Sequence, residues 1–347
     1  MKYILTIFAL FLFSACTTAI KQDQTQYIPR PQTEEQLSDD YNKKIALIIP
    51  EKVIRSYTKV IINSALAYVL RQDAKISVDV FLIGDENEKT LVNTLKKLEN
   101  DGYKFAVAAF TLKGLNSIKN ANSKMYFYIP TIHKSKANIQ NDRIYFGSID
   151  YSEQINELLK IANTKNIASF YDDSTLSNSL NYIVLEKVPN ARTYEFIKDK
   201  KINFKSLIYS KGSLNGAAIF LNTPIVESAI ISSQLRVYET RNIKLFSSQI
   251  GYNPTILSLS QVNDRTNLYI ANSISNSDDS LSYINELLEQ SIDYNWIAYA
   301  TSVGVDYLYT EFMNKDAKRI FKEELKDNQV IYDIRIMRAN GFGFRED

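Results

Sequence analysis

The chain has 347 residues, with Lys+Arg 41 against Asp+Glu 39, so its net charge of +2 argues against a nucleic-acid-binding surface. One cysteine and one histidine exclude internal disulfides, zinc fingers, iron–sulfur sites and most multi-histidine metal centres. A hydrophobic share of 45% over this length supports a large core, more readily two lobes than one.

The elements follow in chain order. Lys2 precedes an apolar run, residues 3–13, too short to span a bilayer, and Phe13-Ser14-Ala15-Cys16 closes it. These residues resemble a bacterial lipobox, with Phe13 where leucine is usual. The resemblance implies a lipoprotein signal peptide over 1–15, cleavage before Cys16 and lipid (palmitate among it) on that cysteine. The mature chain would then hold no free thiol. With the lipid that the resemblance implies, residues 16–40 read as a lipidated tether: polar, carrying Pro29 and Pro31, without apolar periodicity, and spanning roughly 27 Å as a coil. With no aspartate after Cys16, the segment resembles lipoproteins sorted to the periplasmic face of the outer membrane.

Beyond the tether, short apolar runs alternate with amphipathic stretches. Ile45–Ile49, Val78–Ile83, Phe105–Phe110 and Met125–Ile129 read as strands buried on both faces. The spacing predicts helices over Ser56–Leu70, Glu86–Asn100 and Leu112–Asn120 between them. A second series repeats the pattern: a helical stripe (Ile155, Leu158, Leu159, Ala162), strands at Ile167–Tyr171, Thr193–Ile197, Gly216–Leu221, Leu245–Ser248 and Leu268–Ala271, and helices over Thr175–Val188 and Ile225–Tyr238. Helices over Ser280–Glu289 and Trp296–Phe312 and strands near Val330 and at Ile334–Met337 complete it. Two such series make an α/β protein of two doubly wound lobes joined by crossovers. The boundaries read as a first lobe over 41–148, a second over 149–271, helices returning to the first lobe over 272–326, and terminal strands on the second lobe over 327–347.

This order resembles the type I periplasmic-binding-protein fold. The resemblance is carried by the opening strand and Pro50, by Phe105–Leu112, by Tyr128-Ile129-Pro130-Thr131 with Ile144-Tyr145-Phe146, by Ile167–Asp172, and by Gly304-Val305-Asp306-Tyr307-Leu308. Thr111-Leu112-Lys113, Leu245–Gln249 and Trp296–Leu308 are more similar to the domain of penicillin-binding-protein activator lipoproteins than to the amino-acid-binding branch, although no helical-repeat domain precedes them. That branch implies a non-catalytic protein-interaction module of the cell envelope, regulating peptidoglycan synthesis or another envelope assembly, with an envelope protein as partner. The other branch implies a solute-binding lipoprotein that hands a small ligand to a transporter or receptor.

The cleft residues expected from this resemblance are Arg55, Thr111, Lys113, Thr131, His133, Asp172, Asn222 and Gln249. An amino-acid ligand needs hydroxyls and N–H groups for its carboxylate and an acid for its ammonium. His133 puts an imidazole where a small hydroxyl is expected, and Gln249 is neutral where the acid is expected. Glu51, Lys52 and Arg55 crowd a first loop that small residues would leave open, although solvated charge is the commoner reading of such a loop. His133 has no recognisable serine and acid context, so a catalytic role is not expected. Asp172-Asp173 and Asp278-Asp279-Ser280 read as helix caps, not metal sites. Trp296 and Tyr299 read as core in preference to an exposed anchor. Neither metal nor cofactor is expected.

Overall fold

The computed structural model describes residues 43–197, 203–242, 244–275 and 277–347. The signal peptide, Cys16 and the tether lie outside the described residues.

The first lobe begins β1 (Lys44–Ile49), α1 (Glu51–Ile54), α2 (Tyr57–Gln72), β2 (Ser77–Leu82), α3 (Glu88–Asn100), β3 (Phe105–Ala108), α4 (Leu112–Ala121), β4 (Tyr126–Ile129) and β5 (Ile144–Phe146). The chain then crosses into α5 (Tyr151–Lys160), β6 (Ile167–Tyr171), α6 (Thr175–Lys187), β7 (Arg192–Glu195), α7 (Phe204–Tyr209), β8 (Ala218–Asn222), α8 (Ile225–Val237), β9 (Lys244–Ser247), α9 (Thr255–Leu259), α10 (Val262–Arg265) and β10 (Leu268–Asn272). It returns through α11 (Asp279–Leu287), α12 (Trp296–Leu308), β11 (Glu324–Lys326) and β12 (Gln329–Ile331), and crosses last to β13 (Arg335–Ala339) and β14 (Phe344–Glu346).

Among the described residues two seven-stranded sheets form, ordered β11-β12-β5-β4-β3-β1-β2 and β14-β13-β10-β9-β8-β6-β7. The central strands pair in parallel, as in the register Ile45↔Val78 and Ile45↔Phe105. The β11–β12 hairpin and β13–β14 add antiparallel edges. Apolar clusters cover both faces of each sheet, which is why the strands read as unbroken apolar runs.

The sequence reading keeps residues 327–347 together on the second lobe; the sheet order divides them. β12 lies beside β5 in the first sheet, and only β13 and β14 join the second. Three-residue strands carry no periodicity that would say which sheet they complete. α12 stops at Leu308 and widens into a π turn over Tyr309–Met313, short of the continuous helix expected to Phe312. The expected first loop is the helical turn α1, stitched to the end of β2: Glu51 Oε2 accepts from Gly84 N at 2.8 Å, and Lys52 N donates to Gly84 O at 2.9 Å.

The crossings are held by directed polar contacts. Asp278 caps α11 by accepting from Leu281 N at 3.0 Å, and Arg71 of α2 grips the same carboxylate through two nitrogens at 2.6 and 2.8 Å. That pair, with the cap, holds the Asp278 carboxyl below the usual carboxylate range. Tyr299 is buried and Trp296 half-buried in the first-lobe core.

Candidate functional site

Each crossing leaves the carboxyl end of a strand: β5 before α5, β10 before α11, and β12 before β13. The carboxyl edges of both sheets therefore turn toward the crossings. In open α/β sheets that edge is where ligands sit. All eight expected cleft residues lie on it, in two groups. Arg55, Thr111, Lys113, Thr131 and His133 follow β1, β3 and β4; Asp172 and Gln249 follow β6 and β9, and Asn222 is the last residue of β8.

Thr111 is the N-cap of α4, but its donors are committed. Its N–H donates to Glu86 Oε1 at 2.5 Å and its hydroxyl to Glu86 Oε2, while Glu86 is only 2% exposed. A carboxylate from the chain itself thus occupies a hydroxyl and an amide at a helix N-terminus, the donor set a ligand carboxylate would use. Gly114 leaves room for it, since a Cβ there would stand 2.8 Å from Glu86 Oε1. The Thr131 hydroxyl donates to Phe110 O. Arg55 and Lys113 are exposed, Arg55 at φ 46 where α1 ends.

In the second lobe Asp172 is buried and turned into the start of α6: Oδ1 accepts from Ser174 N at 3.1 Å and Ser174 Oγ at 2.6 Å. The N-cap itself is Ser174. Asn222 Nδ2 donates to Ser169 Oγ at 3.1 Å. Gln249 is consumed by the crossings. Its Oε1 accepts from Ser273 N at 2.7 Å, its Nε2 donates to Asn272 Oδ1 at 3.0 Å, and its N–H donates to Gln154 Oε1 at 2.8 Å. Both heads of the amide are occupied, so it cannot stand in for an acid. Asn222 Oδ1 and Ser248 Oγ are buried on this edge without a hydrogen-bond partner among the described residues.

His133 differs from its sequence reading, because a serine and an acid do approach it. Nδ1 lies 2.8 Å from Ser135 Oγ, and Nε2 lies 4.0 Å from Asp150 Oδ2. The geometry is that of a cap: Ser135 N also donates to Nδ1, at 3.3 Å. Asp150 in turn caps α5, accepting from Ser152 N at 2.8 Å. The ring borders a cavity of about 170 Å³ that Asp150, Glu153, Ser273, Val330, Tyr332 and Ile334 also line, so all three crossings meet there. Burial pushes the imidazole pKa down, Asp150 pulls it up and Lys136 pushes it down, and burial is the largest effect.

Sequence reasoning missed Glu86, Gln154 and Asp150. Glu86 reads as the first residue of a helix and Gln154 as the polar side of the Ile155–Leu158 stripe. Nothing along the chain shows that the fold will bury Glu86 and Gln154 or bring Asp150 within 4.0 Å of His133. Among the described residues no cluster of three or more metal-ligating side chains occurs, and no helix is long and apolar enough to cross a membrane.

No protein-family model matches the sequence, and no curated protein matches it. Solved structures do match in fold. The substrate-binding protein LivJ of a branched-chain amino acid transporter from Streptococcus pneumoniae, in complex with isoleucine, superposes with a TM-score of 0.57 at 11% identity, covering 87% of this chain and 97% of that one. The C-domain of LpoA from Haemophilus influenzae, described as a regulator of PBP1A, gives 0.58 at 8% identity over 88% of this chain and 100% of that one. Full-length LpoA gives 0.60 at 9% identity over 88% of this chain, which spans 59% of its length. The chain has the type I periplasmic-binding-protein fold, the one that these binding and regulatory proteins share.

Proposed function

We propose that this chain is an envelope-anchored, non-catalytic lipoprotein, held through lipid on Cys16 at the periplasmic face of the outer membrane. Its bilobed domain acts there as a protein-interaction module serving peptidoglycan synthesis or another envelope assembly. The observation that carries the reading is Glu86. Its buried carboxylate already takes the Thr111 N–H and hydroxyl, so an amino-acid carboxylate would have to displace it. The commitment of Gln249 to Gln154, Asn272 and Ser273 points the same way. The fold shared with the LpoA C-domain, described as a regulator of PBP1A, is consistent with it.

A second reading, a solute-binding lipoprotein, draws on Asn222 Oδ1 and Ser248 Oγ, buried acceptors that a ligand would meet. Crosslinking in cells, run beside a thermal-shift screen of amino acids and other small metabolites, separates the two. The first reading expects a recurrent envelope protein and no ligand-induced rise in melting temperature. A saturable amino-acid complex with no protein partner would overturn it, since ligands that bind only the folded state stabilise it by mass action.

A further inference from the structure

Each sheet ends in two edges, and three of the four are guarded by charge. β11 exposes Glu324 and Lys326, β14 exposes Arg345 and Glu346, and β7 exposes Glu195. Charged edges discourage the addition of another strand.

β2 is different. Ser77 N donates to Lys43 O and Ile83 N to Ile49 O. The alternation of a strand then turns the backbone groups of Asp79 and Phe81 toward β1 and those of Val78, Val80 and Leu82 outward. The side chains of those three residues share one face. Val78 packs on the first-lobe core together with Ile62 and Val69 of α2. Val80 and Leu82 are 41% and 56% exposed, and Leu66 and Leu70, on the Ile62–Val69 stripe of α2, are 42% and 57% exposed. The one charge in the strand does not guard it. Asp79 accepts from Ser77 Oγ at 3.1 Å and Tyr103 OH at 2.8 Å on the other face.

We propose that β2 is a self-pairing edge: a second copy of this chain adds antiparallel to it, across a two-fold axis at Val80, and joins the two first-lobe sheets into one. Val80 then faces its own copy, and Val78 faces Leu82 in both directions. Outward backbone groups meet outward backbone groups, and the apolar residues stay on one face. Antiparallel self-pairing therefore matches apolar to apolar along the strand, an isologous contact.

The chain has one cysteine, so the full chain carrying Cys16→Ser has no thiol and cannot be clustered by a lipid. Val80→Cys in that background puts two thiols on residues whose Cα atoms stand about 5.5 Å apart in such a pair, within the reach of a disulfide. Mild oxidation is expected to convert most of it to covalent dimer, whereas Glu195→Cys on the guarded edge stays monomeric. Sedimentation equilibrium of the Cys16→Ser chain should show a reversible dimer, and Val80→Lys with Leu82→Lys should raise its Kd at least tenfold with an unchanged far-UV spectrum. A monomer at the highest soluble concentration, crosslinking at Glu195→Cys equal to that at Val80→Cys, or a dimer indifferent to the two lysines would each overturn the proposal. The cysteine readout stands if the lysine variant fails to fold.

Discussion

Tyr128 lies against Gly304 so closely that a Cβ on the glycine would stand 2.1 Å from Tyr128 Cδ1. The ring is fully buried, and its hydroxyl donates to Ala300 O at 2.9 Å, one turn earlier on α12. Gly147 closes the other end, where a Cβ would meet the hydroxyl at 2.0 Å. The tyrosine is thus a spacer that sets how near α12 comes to β4. Gly304→Ala is expected to cost about 3 kcal/mol in urea unfolding, the upper range for overpacking a rigid site. Combined with Tyr128→Ala it should cost less than the sum of the two single changes. Strict additivity would mean that the helix and the ring do not press on each other.

Asp306, on the same helix, ties down the chain that leads to β11. Its carboxylate accepts from Tyr68 OH at 2.8 Å, Ile320 N at 3.1 Å and Phe321 N at 3.3 Å, with Arg319 Nε at 3.4 Å. Burial, the largest influence, raises its pKa against the pull of these donors. Asp306→Ala leaves buried donors unpaired and should cost about 3 kcal/mol. Amides of residues 318–323 are expected to exchange faster in hydrogen-exchange measurements. Unchanged protection there would show that the segment is held by its apolar contacts alone.

Glu86 can be tested as an internal occupant. Glu86→Ala frees the Thr111 N–H and hydroxyl and is expected to destabilise the fold by about 2 kcal/mol. Acetate or formate should restore part of that loss in a thermal melt and should leave the unmutated chain unmoved. Equal effects of the anion on both would show that Thr111 does not form an anion site.

His133 predicts the direction of one pH effect. Its folded-state pKa is lowered from the ordinary 6.5, so the unfolded chain binds its proton first as pH falls. Stability should therefore decline as pH drops from neutrality through 6.5 toward the folded value, and level out below it. His133→Asn keeps a side-chain acceptor for Ser135 N and should flatten this part of the profile. A profile identical in the variant would place the titration elsewhere.

Much of this fold is legible along the chain because parallel strands buried on both faces must be apolar throughout. Ile45–Ile49 and Ile167–Tyr171 need no partner to be recognised. α7, α9 and α10 are too short to show a helical period, and β12 and β14 have three residues each, so their sheets are decided by where the crossings deliver them. The site divides similarly. Thr111, Asn222 and Gln249 are readable as residues at strand ends, where α/β folds place their polar groups. That Glu86 would silence Thr111, or Gln154 engage Gln249, depends on contacts between residues 25 and 95 positions apart, and local pattern carries no record of those.

The threefold passage between lobes also orders the birth of the molecule. β12 beside β5 and β13–β14 beside β10 mean that the first sheet waits for residue 331 and the second for residue 346. A chain emerging from its N-terminus can complete neither half early. A truncation of twenty residues would take β12 from the first sheet together with β13 and β14 from the second, so it would leave neither sheet whole.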